Sequence, residues 1–246
     1  MHSFFAEHKN IGTENIVLEG SVYNHIRNVL RLKAGTEIMI SSGDNMNYLC
    51  SITDFSENEI ICKIISSHET INELPVKISV FQGLPKGDKM ELVVQKAVEL
   101  GAFSIIPVAM ERSVVRLDAK KARAKGERWN TIALNAAQQS KRTFLPEVEE
   151  VMTFNEAIKK AEEEFDHIIL PYECAEGYAY TREILSGIGK NSKVAIFIGP
   201  EGGFDQKEID LSIKAGARII TLGRRILRTE TAALMLLSIF NYIFEE

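Results

Sequence analysis

Lys193-Val194-Ala195-Ile196-Phe197-Ile198 runs straight into Gly199-Pro200-Glu201-Gly202-Gly203-Phe204. After its opening lysine the run has no polar alternation, so both faces must be covered, which marks a strand inside a parallel sheet flanked by helices. Asp205 and Glu208 then stand where a helix N-cap and its third helical residue belong. The same rhythm repeats outward. Toward the amino end, His167 to Leu170 is a second run, preceded by a helix that Thr153-Phe154-Asn155-Glu156 opens as a capping box. Before it come strand Phe103 to Val108, with a helix from Lys120 to Ser140 around Trp129, Ile132, Ala133 and Ala136, and strand Val76 to Gln82, with a helix from Lys86 to Leu100. Met90, Val93, Val94, Ala97 and Val98 form that helix's apolar stripe, and Gly101 stops it. Toward the carboxyl end, Arg218 to Leu222 is a run before a helix from Thr231 to Phe244. The alternation predicts an α/β fold with a mostly parallel sheet.

Up to about Thr70 the chain reads differently. Short strands at Ile16 to Leu18, Glu37 to Ser41, Tyr48 to Phe55 and Glu59 to Ser66 are separated by turn residues, which predicts a small β-barrel. One helix interrupts it, because Val22, Ile26, Val29 and Leu30 recur at helical spacing and leave His25, Arg27 and Arg31 on the exposed side. The rhythm changes at Ile71-Asn72-Glu73-Leu74-Pro75, so two domains are expected, 1–72 and 73–246.

The 246 residues, 45% hydrophobic and 26% charged, supply enough apolar surface for two cores and argue against disorder. Ala232 to Phe244, interrupted by Ser238 and Asn241, falls short of the roughly 20 residues a membrane span needs. The opening Met-His-Ser-Phe-Phe-Ala-Glu-His-Lys has no signal-peptide pattern, so a cytoplasmic protein is expected, with no membrane partner. Cys50, Cys62 and Cys174 fit a reducing compartment and have neither zinc nor disulfide spacing, so no metal is expected. The net charge of -5 hides a gradient. Between Glu111 and Arg142 nine basic residues face three acidic ones, and His25, Arg27, Arg31 and Lys33 form a second basic group. Either group is a solvated face unless another feature asks for an anionic partner.

Ligands of such sheets bind beyond the carboxyl ends of the strands. Three exits stand out there: Leu170-Pro171-Tyr172-Glu173, then Ile198 to Phe204, then Leu222-Gly223-Arg224-Arg225-Ile226-Leu227-Arg228-Thr229-Glu230-Thr231-Ala232. The glycines of the second exit let a flat ligand approach bare main chain. A tight strand-to-helix turn explains Gly203 and Asp205 but leaves Pro200-Glu201-Gly202 unexplained. The chain lacks G-x-G-x-x-G, and Gly83-Leu84-Pro85-Lys86-Gly87-Asp88-Lys89-Met90 is not a P-loop, so NAD and ATP lose their sequence support. In the third exit Thr229 reads as the cap of the last helix. Three arginines at a helix N-terminus are unfavourable without an anion nearby, so an anionic substrate or intermediate is expected.

These two long motifs in register closely resemble the RsmE family of ribosomal RNA small-subunit methyltransferases, of the SPOUT class. The likeness extends over the whole chain, through His25-Ile26-Arg27-Asn28-Val29-Leu30-Arg31, Lys86 to Glu91, Glu99-Leu100-Gly101, Glu111-Arg112-Ser113 and Ala137 to Arg142. The resemblance implies an N-terminal PUA-like barrel, a C-terminal SPOUT-type α/β domain with a trefoil knot, and a homodimer. It also implies transfer of a methyl from S-adenosyl-L-methionine to N3 of uridine 1498 in 16S rRNA, free or within the 30S subunit. The cofactor would be held by Leu170, Pro171, Ile198, Gly199, Pro200, Glu201, Gly202, Gly203, Leu222, Ile226, Leu227 and Thr229, with Tyr172 as a candidate to stack on the base or simply to pack. An imide nitrogen must lose its proton before it attacks, so the site needs a proton acceptor and a donor for the carbonyl oxygens. Glu230 and Arg228 meet those needs. Glu201 is a rival base, hydroxide or water serves instead if an arginine makes the imide acidic enough, and Arg112 is a second cation for the uridine or its phosphate. His25, Arg27, Arg31 and Arg142 are the expected RNA contacts, whereas Trp129 is expected in the core. Leu234, Leu237, Ile239 and Ile243 make the last helix apolar on more than one side, which suits a dimer contact. Two other readings stay open: ribose 2'-O-methylation, and a non-catalytic RNA-binding protein of ribosome assembly.

Overall fold

The computed structural model describes residues 1–69, 72–173 and 177–245, so Cys174 and Ile71 lie outside the described residues. The chain divides into two units. The first is Met1–Glu73 with Ala137–Leu145, and the second is Leu74–Ala136 with Pro146–Glu246. A stretch of the first unit, 137–145, thus lies inside the sequence of the second.

In the first unit β1 (His2–Phe5), β2 (Asn15–Glu19), β3 (Glu37–Ser41), β4 (Met46–Phe55) and β5 (Glu59–Glu69) form one curled sheet of order β1-β3-β4-β5-β2. The expected barrel is thus a curled sheet with β1 and β2 as its edges. All neighbours are antiparallel except β1 and β3, which run parallel. Alternate residues point inward, and Ile16, Leu18, Ile38, Ile40 and Ile52 build the core. Helix α1 (Gly20–Asn24) widens into a π-helical stretch over His25–Leu30 and ends at Arg31 in the left-handed region, φ 52°. The wider turn keeps Val22, Ile26 and Leu30 on the core side and rotates Val29 out to 67% exposure, which ideal helical spacing does not anticipate.

The segment 137–145 enters this unit through Arg142, which is 7% exposed and ion-paired with Glu73. Glu73 Oε1 also accepts the N–H groups of Thr143 and Phe144 at 3.3 and 3.2 Å. Thr143 donates from Oγ1 to Asn45 Oδ1 at 3.0 Å, and its carbonyl accepts from Ser41 Oγ at 3.1 Å.

The second unit contains β6 (Lys77–Gly83), α2 (Lys89–Glu99), β7 (Ser104–Ala109), α3 (Ala119–Gln139, whose last residues belong to the first unit), β8 (Glu147–Val148) and β9 (Met152–Thr153). It continues with α4 (Phe154–Glu164), β10 (His167–Pro171), α5 (Tyr178–Ser186), β11 (Lys193–Ile198), α6 (Gln206–Lys214), β12 (Arg218–Ile220) and α7 (Thr229–Phe244). The sheet order is β12-β10-β11-β6-β7-β8, with β9 also on β7, and every pairing is parallel. Val194 to Ile198 lie opposite Ile78 to Gln82, and the rings of Phe81 and Phe197 stack at 4.5 Å. Trp129 is 2% exposed, as expected of a core residue. Helix α2 starts three residues later than its pattern predicts, because Gly87 at φ 63° turns the chain first. Among the described residues no helix is long and apolar enough to cross a membrane, and no cluster of His, Cys, Asp and Glu is grouped to hold a metal.

Candidate active site

Because all strands of the second sheet are parallel, the exits of β6, β7, β10, β11 and β12 lie at one edge. After β11 the chain turns at Pro200, closed by the Gly203 N–H donating to the Pro200 carbonyl at 2.9 Å, with Gly203 at φ 67°. Asp205 then caps α6, and Glu208 answers by accepting the Asp205 N–H at 2.8 Å. The other oxygen of Glu208 accepts the Glu111 N–H at 2.9 Å, which stitches the exit of β7 to α6.

Several glycines make room for neighbouring parts of the chain. A Cβ on Gly202 would lie 2.9 Å from the Cβ of Arg112, one on Gly83 would lie 2.6 Å from Pro200, and one on Gly199 would lie 3.2 Å from the Phe204 ring. At these three positions it is the protein itself that uses the missing side chain. Arg112, half exposed, donates to the Gly202 carbonyl at 3.3 Å and pairs with Asp205 at 3.4 Å. Its guanidinium braces the turn from outside.

Thr229 joins three elements. Helix α7 begins at Thr229 with Arg228 as its N-cap, so Thr229 is not the cap that its sequence position suggests. Its buried hydroxyl donates to the Gly199 carbonyl at 2.6 Å and accepts from Gln82 Nε2 at 2.7 Å. The next residue, Glu230, has a buried Oε2 without a hydrogen-bond partner among the described residues, as does the Oε1 of Gln82. Glu201 is held differently, because Lys89 Nζ lies 2.6 Å from its Oε1 and the Lys86 N–H donates to the same oxygen at 3.1 Å. Burial pushes the Glu201 carboxyl up, but the bonds from Lys89 and from main-chain N–H groups, with the lysine charge, outweigh it and hold it below the usual range. A carboxylate so occupied is a poor proton acceptor, whereas Glu230 Oε2 is open.

Around the third exit Arg224, Arg225 and Arg228 are exposed and form no ion pair among the described residues. Ile226 is 87% exposed, while Leu222 and Leu227 are partly buried. The Leu222 carbonyl accepts from the Tyr178 hydroxyl at 2.9 Å, and that hydroxyl fills the space beside Gly223. At the other exits Leu170 and Ile198 are buried, Pro171 is partly so, and Tyr172 packs against the core below α6.

The basic run after Glu111 is largely spent on neighbours. Lys121 pairs with Asp118, Arg123 with Glu127, Arg128 with Glu91 at 2.7 Å, and Arg116 donates to the main-chain carbonyls of Met110 and Glu111. Arg142, expected at RNA, is buried against Glu73 in the first unit. There His25, Arg27 and Arg31 are exposed, with Arg27 donating to the Ser56 carbonyl at 3.0 Å and to the Tyr23 hydroxyl. Gln82, Lys89 and Tyr178 were absent from the site as read from sequence. Gln82 left a signal as a polar residue closing an apolar strand, and Lys89 lies in the family-like segment Lys86 to Glu91, but neither pointed to its partners.

Residues 72–241 match the family model described as an RNA methyltransferase domain, and residues 18–65 match an RNA methyltransferase PUA domain. Ribosomal RNA small subunit methyltransferase E of Bacillus subtilis is 39% identical over 92% of this chain and 89% of its own length. Its namesake in Mesomycoplasma hyopneumoniae is 33% identical over 97% and 98%. A crystal structure of the enzyme of that name from Neisseria gonorrhoeae, bound to S-adenosyl methionine, superposes with a TM-score of 0.86 at 29% identity, covering 99% of this chain and 98% of the other. On matches of this length in both units, the chain belongs to the ribosomal RNA small subunit methyltransferase E family of RNA methyltransferases.

Proposed function

We propose that this protein, acting as a homodimer with a trefoil-knotted second unit, methylates N3 of uridine 1498 in 16S rRNA with S-adenosylmethionine as donor. The observation that carries the reading is the first turn of α7, where an unpaired exposed arginine, Arg228, adjoins a carboxylate with a buried open acceptor, Glu230. The residues present suit that donor: the buried Gln82 Oε1 wants a hydrogen-bond donor, which an amino-adenine, a ribose or an ammonium supplies, and carboxylates suit a cationic molecule. When bound, S-adenosylmethionine supplies an electrophilic methyl group on a sulfonium.

Glu230 accepts the N3 proton, the N–H bonding pair stays on nitrogen, and Arg228 offsets the charge that spreads onto the flanking carbonyl oxygens. Pro171, Ile198 to Gly203, Leu222 and Ile226 to Thr229 hold the nucleoside. The Thr229 hydroxyl fixes the Gly199 main chain against α7, so the cradle and the proton acceptor move together. Arg112 acts by bracing Gly202. His25, Arg27 and Arg31 contact the RNA, with a salt dependence set by their charges.

Labelled S-adenosylmethionine incubated with undermethylated 30S particles or naked 16S rRNA, followed by mapping and nucleoside analysis, tests the reading. The expected product is 3-methyluridine at one position. E230Q and R228A are each expected to lower kcat about 100-fold or more. A ribose-methylated product, or none, would overturn the assignment.

A further inference from the structure

Lys89 opens α2, and the proton transfer described above makes no use of it. Its ammonium lies 2.6 Å from Glu201 Oε1 and 4.0 Å from Glu230 Oε2, so one cation joins side chains from three separate elements. The two distances differ in kind. At 2.6 Å the lysine donates a hydrogen bond and is anchored, the more so because Glu201 is itself held by the Lys86 N–H. At 4.0 Å it acts on Glu230 through charge alone, and Glu230 Oε2 keeps its lone pairs free. No other ion-pair partner of Glu230 exists among the described residues.

A proton-accepting carboxylate has conflicting needs. A charge on a side chain only 12% exposed needs a partner, yet each donor hydrogen-bonded to it would occupy the site meant for the proton. A cation that is near but not bonded meets both. We propose that Lys89, anchored on Glu201, is a positioning residue whose charge faces Glu230 without occupying its Oε2, which leaves that oxygen unobstructed for the uracil N3 proton. The inference rests on the reading of Glu230 given under Proposed function.

K89M, K89R and E201Q test it, with two readouts. In methyl transfer to undermethylated 30S particles, K89M is expected to lower kcat about tenfold or more while KM for S-adenosylmethionine stays within about threefold, and K89R to recover most of the loss. In the substrate-free protein labelled with 13C at glutamate carboxyls, the Glu230 resonance, identified by its loss in E230Q, is expected to move in K89M and in E201Q. E201Q frees the anchored ammonium, so it carries the same test should K89M fail to fold. A Glu230 resonance unmoved in both variants, or a K89M defect confined to KM, overturns the proposal. A resonance that moves in a protein that methylates no uridine instead sinks the functional reading and leaves the Lys89–Glu230 coupling standing.

Discussion

Thr229 shows what one hydroxyl can hold. Its oxygen stands between the Gln82 amide and the Gly199 carbonyl, all three in the interior or at its edge, so removing it strands a buried donor and an acceptor. T229V is expected to destabilise the protein by about 1–3 kcal/mol in urea unfolding, while T229S, which keeps the hydroxyl, stays within about 1 kcal/mol. The sequence offered Thr229 as a helix cap, which it is not, and its bond to Gln82 was not readable because that partner is 147 positions away. The glycines teach the same lesson. Their tolerance of close approach was legible, but what approaches Gly202 is Arg112, a tertiary neighbour that no local pattern names.

Among elements, the parallel strands were the most legible. β6, β7, β10 and β11 are covered on both faces, so their apolar runs carry no competing polar period and lie within about a residue of the expected spans. β8 and β9, of two residues each, and the edge strand β1 are too short to show a period and were not foreseen. The capping boxes of α4 and α6 were readable because a cap is a local contact. The second role of Glu208, accepting the Glu111 N–H, was not. E208A removes both bonds from a residue 7% exposed. A loss of about 2 kcal/mol is expected in chemical unfolding, together with faster amide exchange at Glu111 and Asp205.

At the scale of the molecule, acid and the buried ion pair set stability. Burial, and then the Arg218 charge, lower the pKa of His167 from its usual 6.5, with Asp166 opposing. The unfolded chain therefore takes up the proton at a higher pH than the native one. Its contribution is complete above about pH 6.5 and is lost as pH falls toward the lower native value. The melting temperature should fall between pH 7 and pH 5.5, and H167Q should flatten that slope. R142M leaves Glu73 largely buried without its cation and is expected to cost about 3 kcal/mol in calorimetric or urea unfolding, with R142M/E73L recovering part of it. That pair was hidden from the sequence, where Arg142 looked like one more member of a basic run. The return of 137–145 to the first unit also bears on how the protein is made. During translation the amino-terminal sheet emerges first, yet Ser41, Asn45 and Glu73 await partners that leave the exit tunnel only with Arg142 and Thr143. A nascent chain stalled anywhere between Glu73 and Ala136 is thus an unfinished product at both ends, and the unit whose synthesis begins first is not completed until well after its own last strand.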